Sequence, residues 1–313
     1  MPKLLAVYNT CGIGGRVNVD NYVTSLESLL SQDFSDMQVA LSSCLNNPGE
    51  IELLKHHFGD NITYNSIYEP VPISVTFNHT VQKCIEKFGE FDGYLFIDSG
   101  IDFVNSASSV GDLFTLFESG PYSSVAARTD DDMGFDDWFN TDIRGDMLFD
   151  TGHLIVPLGS AVNLHVQIFS KQWLHSYGRI LPDIFAGQCM ESVFSFMCAA
   201  IRTKWVVSKN VILHHRTGMD GPSSGFAPHV WQMKGNNRWD HLFGTNEPVL
   251  DIISRGKEFG MGYEEVQKIC LHRDDQFDEE DYCINDKLAP YIRDNLFVSK
   301  DQFDYDGMKY SFV

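Results

Sequence analysis

The chain has 313 residues, 43% of them hydrophobic and 21% charged, a balance that permits a large buried core and excludes wholesale disorder. Its 23 lysines and arginines stand against 43 aspartates and glutamates, for a formal net charge of −20. That field argues against nucleic acid or an anionic lipid surface as partner. It favours small or neutral ligands, an anionic one needing help from a metal ion or a helix N-terminus.

The elements alternate from the start. Leu4 to Tyr8 is a short apolar run ending at Asn9, Thr10 and a glycine-rich turn, as expected of a central strand. Val19, Val23, Leu26, Leu29 and Leu30 then recur at helical spacing. Met37 to Leu41 reads as a second strand, Ile51 to Phe58 as a short helix and Ile62 to Tyr64 as a third strand. Phe77, Val81, Cys84, Ile85 and Phe88 mark one face of a helix that opens near Ser74 and closes at Gly89.

Tyr94 to Ile97 is a buried strand that runs directly into Asp98. A helix from Ser108 to Glu118 and a strand from Ser123 to Ala127 follow. Residues 128 to 150 are rich in aspartate and read as a solvated loop or a lid. Apolar strands return at His153 to Val156 and Val162 to Ile168. Gly187 to Ile201 carries a helical stripe with Glu191 beside it, and two strands, Trp205 to Val207 and Val211 to Leu213, lead into His214 and His215. Thr217 to Pro228 is rich in turn residues and reads as a linker or mobile loop.

This order predicts an α/β fold with a mostly parallel central sheet and helices on both faces. The division expected is a catalytic domain over residues 1–228 and an acidic, mainly helical extension over 229–313. Ligands of such sheets bind outside the carboxyl ends of the strands, where the Asn9 and Asp98 loops fall.

The seven cysteines include no C-x-x-C pair, and most lie in apolar segments, which suggests a reducing compartment. The N-terminal apolar run is too short for a signal peptide, and no stretch is long enough to span a bilayer. A cytoplasmic protein is the expectation.

The sharpest chemical feature is FIDSGID, residues 96 to 102. Asp98 and Asp102, leaving a buried strand, suit a hard cation such as Mg2+ or Mn2+ whose other positions are filled by phosphate oxygens and water. Turn and helix capping is the bland alternative. His214 and His215 end a late strand, where one imidazole is able to join the same ion; side-chain alternation allows only one of the pair to reach it. Glu191, partly shielded by apolar neighbours, is the candidate general base, with Asp183 its rival. The GxGG at Gly12 to Gly15 has neither dinucleotide nor P-loop spacing, and no G-x-S-x-G elbow occurs.

In order, these features resemble the glycosyltransferase A (GT-A) fold, and within it the family 2-like nucleotide-sugar transferases, over residues 3–216. Val7, Tyr8, Asn9 and Thr10 stand where that family's first strand ends. YVTSLESLLSQDFSDMQVALSS is similar to its first helix and second strand. FNHTVQKCIEKFGEFDGYLFIDSG echoes its A-R-N-x-G-I helix and metal strand, with Asn78 at the asparagine position. FIDSGID takes the place of F-L-D-S-D-D, so Asp98 matches the first metal aspartate, Gly100 replaces the second, and Asp102 is displaced by two residues. Glu191 in Cys189-Met190-Glu191-Ser192 resembles the catalytic E-D motif. Ser42, Ser43 and Cys44 replace the acid that often ends the second strand.

The resemblance implies a metal-dependent transfer of sugar from a nucleoside-diphosphate donor to an acceptor hydroxyl, such as one on a glycan, with inversion. Mn2+ or Mg2+ would sit with Asp98, Asp102 and His214 or His215, and Glu191 would be the base. Asn9, Thr10 and Asn78, with Asp98, would hold the donor. Two other classes stay open: a nucleotidyltransferase or phosphohydrolase, and a noncatalytic nucleotide- or carbohydrate-binding protein.

Overall fold

The computed structural model describes residues 2–11, 19–44, 48–67, 73–130, 152–156, 162, 165–182, 190–216, 255, 258 and 285–297. The first half alternates as expected: β1 (Leu4–Cys11), α1 (Val19–Leu30), β2 (Met37–Cys44), α2 (Pro48–Phe58), β3 (Ile62–Ile67), α3 (Ile73–Phe88) and β4 (Gly93–Ile97). A two-residue β5 (Ile101–Asp102), α4 (Ser109–Glu118), β6 (Tyr122–Thr129) and β7 (His153–Ile155) follow. Next come β8 (Val166–Ser170), α5 (Lys171–Tyr177), a 3-10 turn (Met190–Val193), α6 (Phe194–Ala200), β9 (Lys204–His215) and α7 (Asn285–Leu296). No described helix is long and apolar enough to cross a membrane.

Strand side chains alternate between two cores, as their period of two requires. Leu5 and Val7 of β1 join Phe77, Val81 and Cys84 of α3 on one face. Leu4, Ala6 and Tyr8 join Tyr22, Leu26 and Leu29 of α1 on the other. Helices therefore cover both faces, the α/β architecture expected. Gly89 closes α3 in the left-handed conformation (φ 79°), its N–H bonded to the Ile85 carbonyl at 2.8 Å.

The strands lie in the order β3-β2-β1-β4-β8-β6-β9-β5, with β7 also paired to β9. From β3 to β4 every pairing is parallel. Beyond β4 the sheet is mixed, because β8 is antiparallel to both β4 and β6 while β9 runs parallel to β6. Two reversals restore the original direction, so β1, β2, β4, β6 and β9 all end on one edge. The start of β8 lies on that same edge, which decides who meets whom in the site.

Several boundaries differ from the sequence reading. β9 is one strand rather than two, with a register irregularity between its pairings at Ala126 and Arg128 absorbing the break. Glu191 lies in the 3-10 turn ahead of α6 rather than within a longer helix. α5, not anticipated, is capped by the Ser170 hydroxyl accepting from the Trp173 N–H at 3.0 Å, and ends on Gly178 at φ 77°.

Leu288, Ile292 and Leu296 of α7 are buried in the same core as Trp173, Tyr177 and Phe194. Phe297, just beyond α7, stacks on Tyr177 with ring centroids 5.8 Å apart. This part of the C-terminal region thus packs on the α/β body. The aspartate-rich residues 131–150, Asp183, the turn-rich 217–228 and most of 229–313 lie outside the described residues.

Candidate functional site

Asp98 is the first residue past β4, and its backbone N–H donates to the His165 carbonyl at 2.7 Å. One carboxylate oxygen accepts from the Ser99 N–H at 2.9 Å, and the other lies 3.6 Å from His165 Nδ1. The side chain is 20% exposed, so it has both a defined direction and an open side. The His165 ring in turn lies 4.5 Å from the His215 ring, centroid to centroid, tilted by 39°. Asp98, His165 and His215 are therefore brought together from β4, the start of β8 and the end of β9.

His165 is the member that sequence reasoning missed. A histidine at the start of a strand belongs on the ligand edge only if that strand runs antiparallel, and a sheet taken as parallel hides it.

Gly100, where the sequence resemblance expects a second aspartate, adopts φ 81°, a left-handed conformation that suits glycine. Its N–H donates to the Tyr8 hydroxyl at 3.1 Å, and its carbonyl accepts from the Arg216 N–H at 2.9 Å. The turn sends the chain into β5, which pairs antiparallel with the end of β9 so that Ile101 faces His215 and Asp102 faces His214.

Asp102 is only 3% exposed. One of its oxygens accepts from the Ser25 hydroxyl of α1 at 2.7 Å, and the other from Arg216 Nε at 2.5 Å. His214 points to a different partner from its neighbour: its Nδ1 is 2.6 Å from Asp130. The other Asp130 oxygen accepts from the His215 N–H at 3.0 Å. Desolvation pushes the Asp130 carboxyl upward, but the bonds from His214 and the His215 backbone outweigh it and leave it below its ordinary value.

Asn9 is buried at the end of β1, where its Nδ2 donates to the carbonyls of Val7 (3.1 Å) and Ile97 (3.0 Å). It thereby ties the end of β1 to the residue before Asp98. Its Oδ1, and the Oγ of Ser42 beside it in register, are buried acceptors with no hydrogen-bond partner among the described residues. Thr10, next along β1, is also buried.

Asn78, expected to touch the donor, uses its amide on the protein itself. Nδ2 donates to the Leu181 carbonyl at 2.7 Å, and Oδ1 accepts from the N–H groups of Ile180 and Leu181 at 3.1 and 3.0 Å. Trp173 Nε1 donates to the Ile180 carbonyl at 2.9 Å, so α3 and α5 hold that backbone from two sides. Glu191 is half-buried in the turn that opens α6.

Among the described residues no group of three or more histidine, cysteine, aspartate or glutamate side chains is spaced to hold a metal ion unaided. One partly exposed carboxylate, with the His165 imidazole beside it and the His215 ring against His165, nonetheless fits an ion that takes its remaining oxygens from a bound phosphate and from water, the usual habit of Mg2+ in phosphate sites. The donor chemistry suits such an ion only when a substrate shares it.

No protein-family model matches the chain, and no curated protein sequence matches it either. Among solved structures, the mannosyltransferase PcManGT from Pyrobaculum calidifontis, in complex with GDP-Man and Mn2+, aligns with a TM-score of 0.52 at 9% identity, covering 93% of this chain and 87% of its own. S. aureus TarS residues 1–349 align with a TM-score of 0.46 at 12% identity, over 73% of this chain and 65% of that one. A second TarS structure gives 0.49 at 12% identity, over 72% and 39%. The TarS likenesses are weaker and partial. The alignment to PcManGT bears on the fold, which is GT-A-like.

Proposed function

We propose that the chain transfers a sugar from a nucleoside-diphosphate donor to an acceptor hydroxyl, with inversion at the anomeric carbon. The carrying observation is the convergence of Asp98, His165 and His215 at the carboxyl edge of the sheet, in a fold like that of a nucleotide-sugar transferase. Asp98, with His165 or His215, would hold Mn2+ or Mg2+. An ion bound there supplies neutralisation of the charge that develops on the departing diphosphate.

The remaining work falls to the chain's own groups. Asn9 and Ser42, sealed from solvent, shape the floor beneath the donor, Asn9 by tying β1 to Ile97, with Thr10 next in line along β1. Glu191 accepts the acceptor's hydroxyl proton as its oxygen bonds to the anomeric carbon; the bond from that carbon to the diphosphate breaks, releasing a nucleoside diphosphate. Asn78 serves the site indirectly, by holding residues 180–181, and His214 by pairing with Asp130 beside His215.

A panel of nucleotide sugars, assayed for release of nucleoside diphosphate with and without Mn2+, tests this reading. One donor giving saturable, ion-stimulated release supports it. Silence from every donor, with and without candidate acceptor sugars, counts against it.

A further inference from the structure

We propose that Asp102 and Arg216 form a buried ionic tether whose task is to position His215 against Asp98 and His165, so that both are positioning residues and neither is an ion ligand. The inference rests on the site reading above. Asp102 is 3% exposed, and its two oxygens are taken by Ser25 of α1 and by Arg216. The Arg216 side chain is only 14% exposed, and its Nη1 lies 3.4 Å from the Asn21 oxygen, also on α1.

The backbone repeats the connection. Arg216 N–H donates to Gly100, and β5 pairs residue for residue with His214 and His215. A strand pair of two residues has little strength of its own. The ion pair clamps it to α1 and fixes where β9 ends. Each buried charge is tolerable because the other is there; removing either leaves its partner uncompensated, whereas removing both does not. A carboxylate already neutralised in this way is also a poor donor to an ion. His215, one residue from Arg216, carries the consequence into the site.

The test compares Asp102→Asn, Arg216→Gln and the double variant by two readouts. The first is amide exchange at His215 and Arg216, which needs no ligand. The second is calorimetric binding of GDP and UDP with Mn2+ present, and of Mn2+ alone. A tether predicts faster exchange in both single variants and nucleoside-diphosphate binding weakened about 10-fold or more in each, as for other groups that orient ligating side chains. The double variant should be no worse than the poorer single, and Arg216→Lys should recover part of the loss.

An ion-ligand role for Asp102 predicts the opposite sign for the arginine: Arg216→Gln would bind Mn2+ as well as or better than the wild type while Asp102→Asn binds it worse. That outcome, or unchanged exchange at His215 and Arg216, overturns the tether. If the wild-type chain binds neither nucleotide, the site reading fails while the exchange measurement still decides the tether.

Discussion

The N–H of Gly100 donates to the hydroxyl of Tyr8 at 3.1 Å, joining the turn after Asp98 to β1, the neighbour of β4 in the sheet. Because Gly100 sits at φ 81°, placing an aspartate there strains the turn rather than simply adding a second carboxylate beside Asp98. Gly100→Asp should lower stability by about 1–2 kcal/mol through the left-handed backbone alone. Tyr8→Phe should cost about 1–3 kcal/mol by leaving the Gly100 N–H buried without its acceptor. Urea denaturation followed by tryptophan fluorescence measures both, and an unchanged midpoint for either would contradict the turn geometry.

Asn78 supports the backbone of residues 180–181 rather than meeting solvent. Asn78→Ala should therefore destabilise the fold by about 1–3 kcal/mol, the cost of stranding buried backbone groups. Asn78→Asp keeps an acceptor for both N–H groups but sets a carboxylate oxygen against the Leu181 carbonyl, so it too should destabilise, less so at a pH low enough to protonate it. If Asn78→Ala instead leaves stability intact and weakens only nucleotide binding, a direct donor contact is the better description.

Burial raises the Cys84 thiol to about 11, against the milder opposing pull of Lys87 and Lys83. The folded state thus favours the neutral thiol. Its contribution to stability is whole below the ordinary thiol value of about 9 and is lost as pH climbs through about 11. The denaturation midpoint of the wild type should fall across that window, and Cys84→Ala should flatten the fall. In native protein at neutral pH, Cys84 should also resist alkylation; rapid labelling there would contradict its burial.

α7 packs Leu288, Ile292 and Leu296 into the core beside α5 and α6. Ile292→Ala should cost about 2–5 kcal/mol, as for other large-to-small core substitutions. A loss below about 0.5 kcal/mol, the range of ordinary surface changes, would show that α7 does not share the core.

Much of this was legible from periodicity. β1, α1, β2, α3 and β4 each show a sustained apolar pattern, and Gly89 marks the end of α3 by its chemistry. Two features were not. The direction of β8 depends on long-range pairing with β4 and β6, so nothing local places His165 beside Asp98. Likewise Asp98 and Asp102 look equivalent as carboxylates four residues apart, yet Arg216, far along the chain, makes them different. Asn78 illustrates a third limit: a polar residue near a ligand edge has the same signature whether it binds substrate or backbone.

The most direct test of the proposed site is the rate of nucleoside-diphosphate release from a responsive nucleotide sugar by the wild type and by Asp98→Asn, with Mn2+ present and folding verified. Loss of the partly exposed carboxylate at the end of β4 should reduce saturable release by about 100-fold while the denaturation midpoint holds. Release that proceeds equally fast in Asp98→Asn would contradict the placement of the site at this edge.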